Sequence, residues 1–171
     1  ENVLGAIVGN GFYNVPMNWT ESYGTPRFIG QIYITYADGS EDIIVTDESW
    51  KASKSPIVMD LIYQGEHYDA RLEQPGWDAP GFDDSAWQNA ALRKKPEGTM
   101  KAHMSPTDKV MERLKPVAVI KNSDGKYYVD FGQEISGWVR ISGVRGDAGR
   151  VIDFDYICES ASGDNTYTLK G

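Results

Sequence analysis

The sequence predicts an all-β fold: an antiparallel, jelly-roll-like β-sandwich followed by part of a second β-sandwich. Three observations carry that expectation. Apolar residues alternate with period two in QIYITY, where Ile32, Ile34 and Tyr36 share one face and Tyr33 and Thr35 the other. Asp38-Gly39 and Asp124-Gly125 each lie between two strand-like runs and supply the positive-φ residue a hairpin turn needs. Turn signals recur roughly every ten residues, 18 glycines suit that many turns, and helical prospects are confined to one or two turns.

Taken in order, Val3, Ile7 and Val8 form a short apolar run closed by Gly9-Asn10-Gly11, a strand entering a turn. Residues 14–27 hold two prolines and read as a loop. The Asp38-Gly39 hairpin follows, with Ile43-Ile44-Val45 as its return. Trp50 and the segment Ile57–Tyr63 are expected as further strands, parted by Lys54-Ser55-Pro56. Pro75, Pro80, Pro96 and Pro106 break up residues 74–108, because each removes a backbone donor and fixes φ. Within that stretch Asp84–Ala91 has room for a turn or two of helix, capped by Asp83 or Asp84. Val110–Leu114 has room for one more before Pro116.

From Pro116 the β pattern resumes. VAVIKNSDGKYYVDFG reads as a second hairpin, then GWVRISGVRG, then the strand RVIDFDYICE. In the last of these Val151, Asp153, Asp155 and Ile157 face one way, and Ile152, Phe154, Tyr156 and Cys158 the other. The Pro-punctuated stretch 92–116 is the natural boundary. The expected division is therefore 1–98 for the first sandwich module, 99–115 for a linker and 116–171 for the start of the second. The chain opens in strand-like residues without a methionine and stops at YTLKG, so it reads as an excerpt of a longer polypeptide.

Charge narrows the partners. A net charge of −8 argues against nucleic acid, whose phosphates need a basic face, and against an anionic membrane surface. A neutral carbohydrate is unaffected. No run approaches the roughly 20 apolar residues a membrane-spanning helix needs. Cys158 is the single cysteine, so no internal disulfide braces the fold, and beside Ile157 it reads as a small packed hydrophobe.

Chemistry-bearing patterns are sparse. Gly9-Asn10-Gly11 lacks the helix and further glycines of a phosphate loop. His67 and His103 are the only histidines and neither has a spaced partner, so a zinc site is not expected and each reads as a surface or half-buried hydrogen-bonding residue. Three carboxylate pairs invite a glycosidase reading: Glu66 with Asp69, Asp83 with Asp84, and Asp153 with Asp155. Exposed acids are the norm, which makes a solvated outer face the default for Asp153 and Asp155 and a turn cap the default for Asp83 and Asp84. Aromatic rings are the better lead, since they stack on the apolar face of a sugar while acids and amides take its hydroxyls. Trp77 lies on a rigid Pro-Gly loop, where presentation to a ligand and burial are equally open. Trp87 and Phe82 are expected to pack instead.

At these residues a resemblance emerges. YDARLEQPGWDAPGFDDSAW resembles the signature of the N-terminal β-sandwich module of bacterial α-L-rhamnosidases, glycoside hydrolase family 78. NVLGAIVGNGFY, YADGSEDIIVTDESWKASKSPI and MERLKPVAVI resemble further segments of the same enzymes. YVDFGQEISGWVRISGVRGDAGRVIDFDYICE and YTLKG resemble the sandwich that comes next. The resemblance implies catalytic glutamates in a downstream α/α barrel with no counterpart here, hence a non-catalytic segment. Its implied partners are that catalytic domain and rhamnose-containing glycans or glycosides, with Glu66, Tyr68, Asp69, Trp77 and Trp87 as the carbohydrate-binding candidates. It also implies that strands missing from both sandwiches would leave sheet edges exposed. Some relatives use the first sandwich as a calcium-dependent rhamnose-binding module, and MDLIYQGEHYDAR is the counterpart loop. There Tyr63-Gln64 precedes Gly65-Glu66 where the family pattern has Asp or Asn, and a neutral amide weakens a cation site. No cofactor is therefore expected, with calcium as the alternative. Glu66, Asp69 and Arg71 match the motif, and Asp69 with Arg71 is equally well an ion pair.

Overall fold

The computed structural model describes residues 2–15, 22–102, 104–157 and 163–171. His103, Cys158 and part of the loop expected at 14–27 lie outside the described residues. The chain divides into two compact units, one of Glu1–Lys94 with Arg145–Gly171 and one of Lys95–Val144. Both are all-β, apart from a single 3-10 turn in the first.

In the first unit β1 (Gln31–Thr35) pairs antiparallel with β2 (Glu41–Val45), placing Ile32 opposite Ile44 and Tyr33 opposite Ile43. The expected turn closes it. Gly39 adopts φ 83°, its N–H donates to the Tyr36 carbonyl at 3.0 Å, and the Tyr36 N–H donates to the Ser40 carbonyl at 2.9 Å. Alternation is realised along β1, where Ile32 and Ile34 are partly covered and Tyr33 is exposed.

A short β3 (Lys51–Ala52) pairs with β6 (Gln88–Asn89). This pairing explains why Asp84–Ala91 is not the expected helix. Only one turn forms, with the Trp87 N–H donating to the Asp84 carbonyl at 2.9 Å, before the strand begins. A segment so short does not meet the cost of helix nucleation, whereas β3 offers ready partners. Asp83 still acts as a cap, its Oδ1 accepting the Ser85 N–H at 3.0 Å.

The largest sheet has the order β4 (Ile57–Leu61), β5 (Gly65–Asp69), β10 (Asn165–Thr168), β9 (Val151–Phe154). The segment MDLIYQGEHYDAR is thus a hairpin, β4 and β5 with a tight turn, rather than a loop. β10 pairs antiparallel with β9 but parallel with β5, the one departure from the antiparallel expectation among the described strands. A parallel pair needs a long connection, and here almost the whole intervening chain supplies it. Val151–Phe154 alternate as expected, with Ile152 and Phe154 partly covered and Val151 and Asp153 outward. Val15, Ala70 and Leu169 are the buried apolar residues among the described residues, and Val15 is fully covered.

Residues 2–9 hold no strand; Gly11 alone makes a bridge, to Leu61. The reason is local. The Asp60 carboxylate accepts the Asn10 backbone N–H at 2.7 Å and its side-chain amide at 3.0 Å, taking a donor a ladder would use. Gly5 and Gly9 bring the backbone against the Trp77 ring and the Asp60 carboxylate, where a Cβ would overlap each.

In the second unit β7 (Ala118–Lys121) and β8 (Tyr127–Asp130) form the other expected hairpin, with Gly125 at φ 87°. Neither Val110–Leu114 nor the 137–144 part of GWVRISGVRG takes regular structure. Val119, Ile120, Tyr127 and Val129 all remain exposed, so among the described residues the larger apolar side chains of the hairpin lie open to solvent. A lone two-stranded hairpin is marginal in water. Amide exchange in 118–121 and 127–130 is therefore expected to outpace that in 66–69 and 165–168, by mass spectrometry of the 171-residue protein. Equal protection would mean that β7 and β8 carry support of their own.

Candidate functional site

Three of the five residues singled out in the sequence, Glu66, Tyr68 and Asp69, lie on β5. Its first residue, Gly65, takes φ 89°, and a Cβ there would overlap the Asp164 carbonyl. Gly163 is equally constrained, since its Cβ would overlap the Gly65 nitrogen. Two glycines thus let the β4–β5 turn and the entry to β10 touch backbone to backbone. Asn165, buried among them, bonds both sides: its Oδ1 accepts the Glu66 N–H at 3.1 Å, and its Nδ2 donates to the Gly163 carbonyl at 2.8 Å.

Beside this contact lies an open cleft of about 400 Å³, lined by Met59, Tyr63, Gln64, His67, Gly163 and Asp164. His67 is half-buried, but against the expectation of a hydrogen-bonding residue its Nε2 is shut off from solvent without a partner among the described residues. Such orphaned groups are rare in native interiors and call for a partner.

The five candidate residues take different places. Glu66 is exposed on β5, opposite Asp60 of β4. Tyr68 is turned into the sheet, its ring stacked on Tyr167 with centroids 5.3 Å apart and planes 4° from parallel. Its hydroxyl donates to Glu73 Oε1 at 3.1 Å, and Glu73 Oε2 in turn accepts from Lys170. Burial, reinforced by the Glu73 carboxylate, pushes the Tyr68 phenol up to about 12, while Lys170 holds Glu73 below its ordinary value. Asp69 caps the 3-10 turn Ala70–Leu72 and grips Arg71 through both oxygens, at 2.8 Å to Nε and 2.6 Å to Nη2. That bidentate grip lowers the Asp69 pKa. Trp77 follows a turn in which its N–H donates to the Gln74 carbonyl, and its half-buried ring covers Gly5. Trp87 is also half-buried; its Nε1 donates to Gln74 Oε1 at 2.7 Å and its ring meets Phe82 edge-on at 5.6 Å.

Asp153 and Asp155 are both exposed, in keeping with a solvated outer face. The oxygen donors near the β4–β5 turn are already engaged or neutral. Gln64 is neutral, Asp60 is taken by Asn10 and Asp69 by Arg71, and no cluster of three or more acidic, histidine or cysteine side chains forms among the described residues. This donor set does not fit a calcium site. No helix among the described residues is long and apolar enough to cross a membrane.

Asn165, Gly163 and Asp164 were not anticipated. The only signal in the sequence is the turn-forming run Gly-Asp-Asn, which points to a turn but not to its partner nearly a hundred residues earlier.

Comparison with known proteins places these features. A family model described as the α-L-rhamnosidase N-terminal domain matches residues 1–112, and one described as the bacterial α-L-rhamnosidase concanavalin-like domain matches residues 120–165. An α-L-rhamnosidase of Formosa agariphila is 39% identical over 150 residues, covering 83% of this chain and 16% of that protein. One of Streptomyces avermitilis is 35% identical over 188 residues, covering 99% of this chain and 18% of the other. Among solved structures, the α-L-rhamnosidase of Dictyoglumus thermophilum aligns with a TM-score of 0.70 at 32% identity, over 86% of this chain and 18% of that one. The Streptomyces avermitilis enzyme complexed with L-rhamnose aligns with a TM-score of 0.68 at 33% identity, over 84% of this chain and 15% of that one. The chain thus spans less than a fifth of the length of these relatives.

Proposed function

This chain belongs to the α-L-rhamnosidase N-terminal domain family, and from that premise we propose that it is a non-catalytic accessory segment that supports a catalytic domain and recognises rhamnosides. The parent protein on this reading hydrolyses α-L-rhamnosides, and the segment is organised as a module at 1–98, a linker at 99–115 and the start of a second domain from 116. The observation that carries recognition is the open cleft at the β4–β5 turn, where Gln64 and Asp164 offer polar groups beside Tyr63. Sugar hydroxyls are the natural complement of such a mixture. Glu66 and the part-exposed ring of Trp77 add ligand-facing groups in this proposal; Tyr68, Asp69 and Trp87 support them through their internal partners.

A second reading, a structural spacer without ligand, draws on the same internal bonds of Tyr68, Asp69 and Trp87. Titration of the protein with L-rhamnose separates the two. Recognition predicts a saturable change in tryptophan fluorescence and in the His67 resonances at millimolar sugar, unaltered by calcium or by a chelator. Absence of any change leaves the spacer, and a response that requires calcium would contradict the donor set described above.

A further inference from the structure

We infer that Asn165 is the positioning residue of the β4–β5 turn, so that the cleft belonging to the first module is assembled only when β10 docks beside β5. The inference rests on the recognition reading above for its functional half, and on geometry alone for its structural half. The hairpin ladder pairs Leu61 with Gly65 and Asp60 with Glu66, and the Glu66 N–H is taken by a partner outside it. The turn's described backbone hydrogen bond, from the Gln64 N–H to the Leu61 carbonyl at 3.0 Å, closes the turn but does not orient Glu66. Orientation comes from outside: the Glu66 N–H is taken by Asn165 Oδ1, and Asn165 Nδ2 fixes the Gly163 carbonyl. Gly163 and Asp164 are also two of the six residues lining the cleft. The same side chain that orients the turn therefore anchors the opposite wall.

An amide suits this task where a carboxylate or an apolar group does not. It must accept from one backbone group and donate to another while nearly buried, and an amide carries an acceptor oxygen and a donor nitrogen on one planar head, whereas a carboxylate only accepts. Gln is longer by a methylene, and the backbones are already in contact at Gly65 and Gly163. The pairing also crosses the two family matches, because Glu66 falls in the first and Asn165 at the end of the second. Communication between the cleft and the following domain then follows from a single side chain: whatever displaces β10 releases Glu66 and opens the wall at Gly163.

The test compares wild type, Asn165→Leu and Asn165→Asp in the 171-residue protein, reading the exchange rate of the single Glu66 amide by NMR and the affinity for L-rhamnose. Asn165→Leu is expected to speed Glu66 exchange, leave the β1–β2 amides protected, and weaken rhamnose binding roughly tenfold, as loss of one oriented contact implies. Asn165→Asp retains the acceptor for Glu66 but loses the donor to Gly163, so Glu66 should keep its protection while the affinity returns only in part. Unchanged Glu66 exchange in Asn165→Leu overturns the inference, as does faster exchange with undiminished affinity. If Asn165→Leu loses protection throughout, Asn165→Asp decides alone: exposure of its Glu66 amide overturns the proposal. Wild type that binds no rhamnose removes the recognition reading, and the Glu66 amide still judges the positioning.

Discussion

Gly65→Ala is expected to lower stability by about 3 kcal/mol, combining left-handed backbone strain with an overlap that cannot relax. The residue sits at φ 89°, and its new Cβ would meet the Asp164 carbonyl and carbonyl carbon, with Asn165 Oδ1 at 3.0 Å. Backbone atoms do not rotate away as a flexible side-chain tip does. To admit a methyl group, β10 must withdraw from β5, which breaks the parallel ladder between Thr166–Thr168 and His67–Asp69. Gly39→Ala provides the internal comparison. That glycine has nearly the same φ, 83°, but nothing stands within 4 Å of its Cβ position. Its cost should be the conformational part alone, about 1 kcal/mol. Urea unfolding of both variants measures the difference. If the two substitutions prove equally costly, the β5–β10 contact is soft and the sheet does not depend on it.

The contrast between those two glycines also shows what the sequence can disclose. Both Asp-Gly hairpins were legible because everything that makes them is local: alternation, a positive-φ residue and short range. Asp83 was legible as a cap for the same reason. What escaped was non-local. Gly65 carries no mark that distinguishes it from Gly39, because the atoms that forbid its side chain belong to Asp164. β10 is a four-residue strand, Asn-Thr-Tyr-Thr, whose pattern is too short to call for a partner, and its partner is β5, a hundred residues away. The apolar run at Val3–Val8 was misleading in the opposite sense. Its composition favours a strand, but Asp60 claims the Asn10 N–H and the Trp77 ring presses on Gly5. Of the site, the sequence pointed to the stretch around Glu66 and to the weak calcium donor at Gln64. It held no sign that Asn165 would complete the turn.

Tyr68→Phe is the second large effect, and its size depends on pH. At neutral pH it removes the hydroxyl that donates to the Glu73 carboxylate while leaving the ring stacked on Tyr167, a loss of about 1.5 kcal/mol for a bond to a charged acceptor. The alkaline limb identifies the cause. Burial and the Glu73 carboxylate push the Tyr68 phenol up to about 12, above the ordinary value of 10.0. A raised pKa contributes stability that is complete below the ordinary value and is lost as pH climbs through the folded one. The rise from 10.0 to about 12 corresponds to a ceiling of about 2.7 kcal/mol, which solvent screening of this partly exposed side chain reduces to on the order of 1 kcal/mol. The stability gap between wild type and Tyr68→Phe should therefore be constant up to about pH 10 and narrow by that amount toward pH 12. Lys170, whose pKa is also raised by Glu73, loses its share in the same alkaline direction in both proteins, so its part largely cancels. Glu73 acts oppositely. Held low chiefly by Lys170, it contributes above the ordinary carboxylate range and loses that contribution as pH falls through its depressed value, again in both proteins. Denaturant midpoints at neutral pH and across the alkaline limb distinguish these origins. A gap that stays constant to pH 12 would place the Tyr68 hydroxyl in solvent rather than on Glu73, and Glu73 would then be held by Lys170 alone.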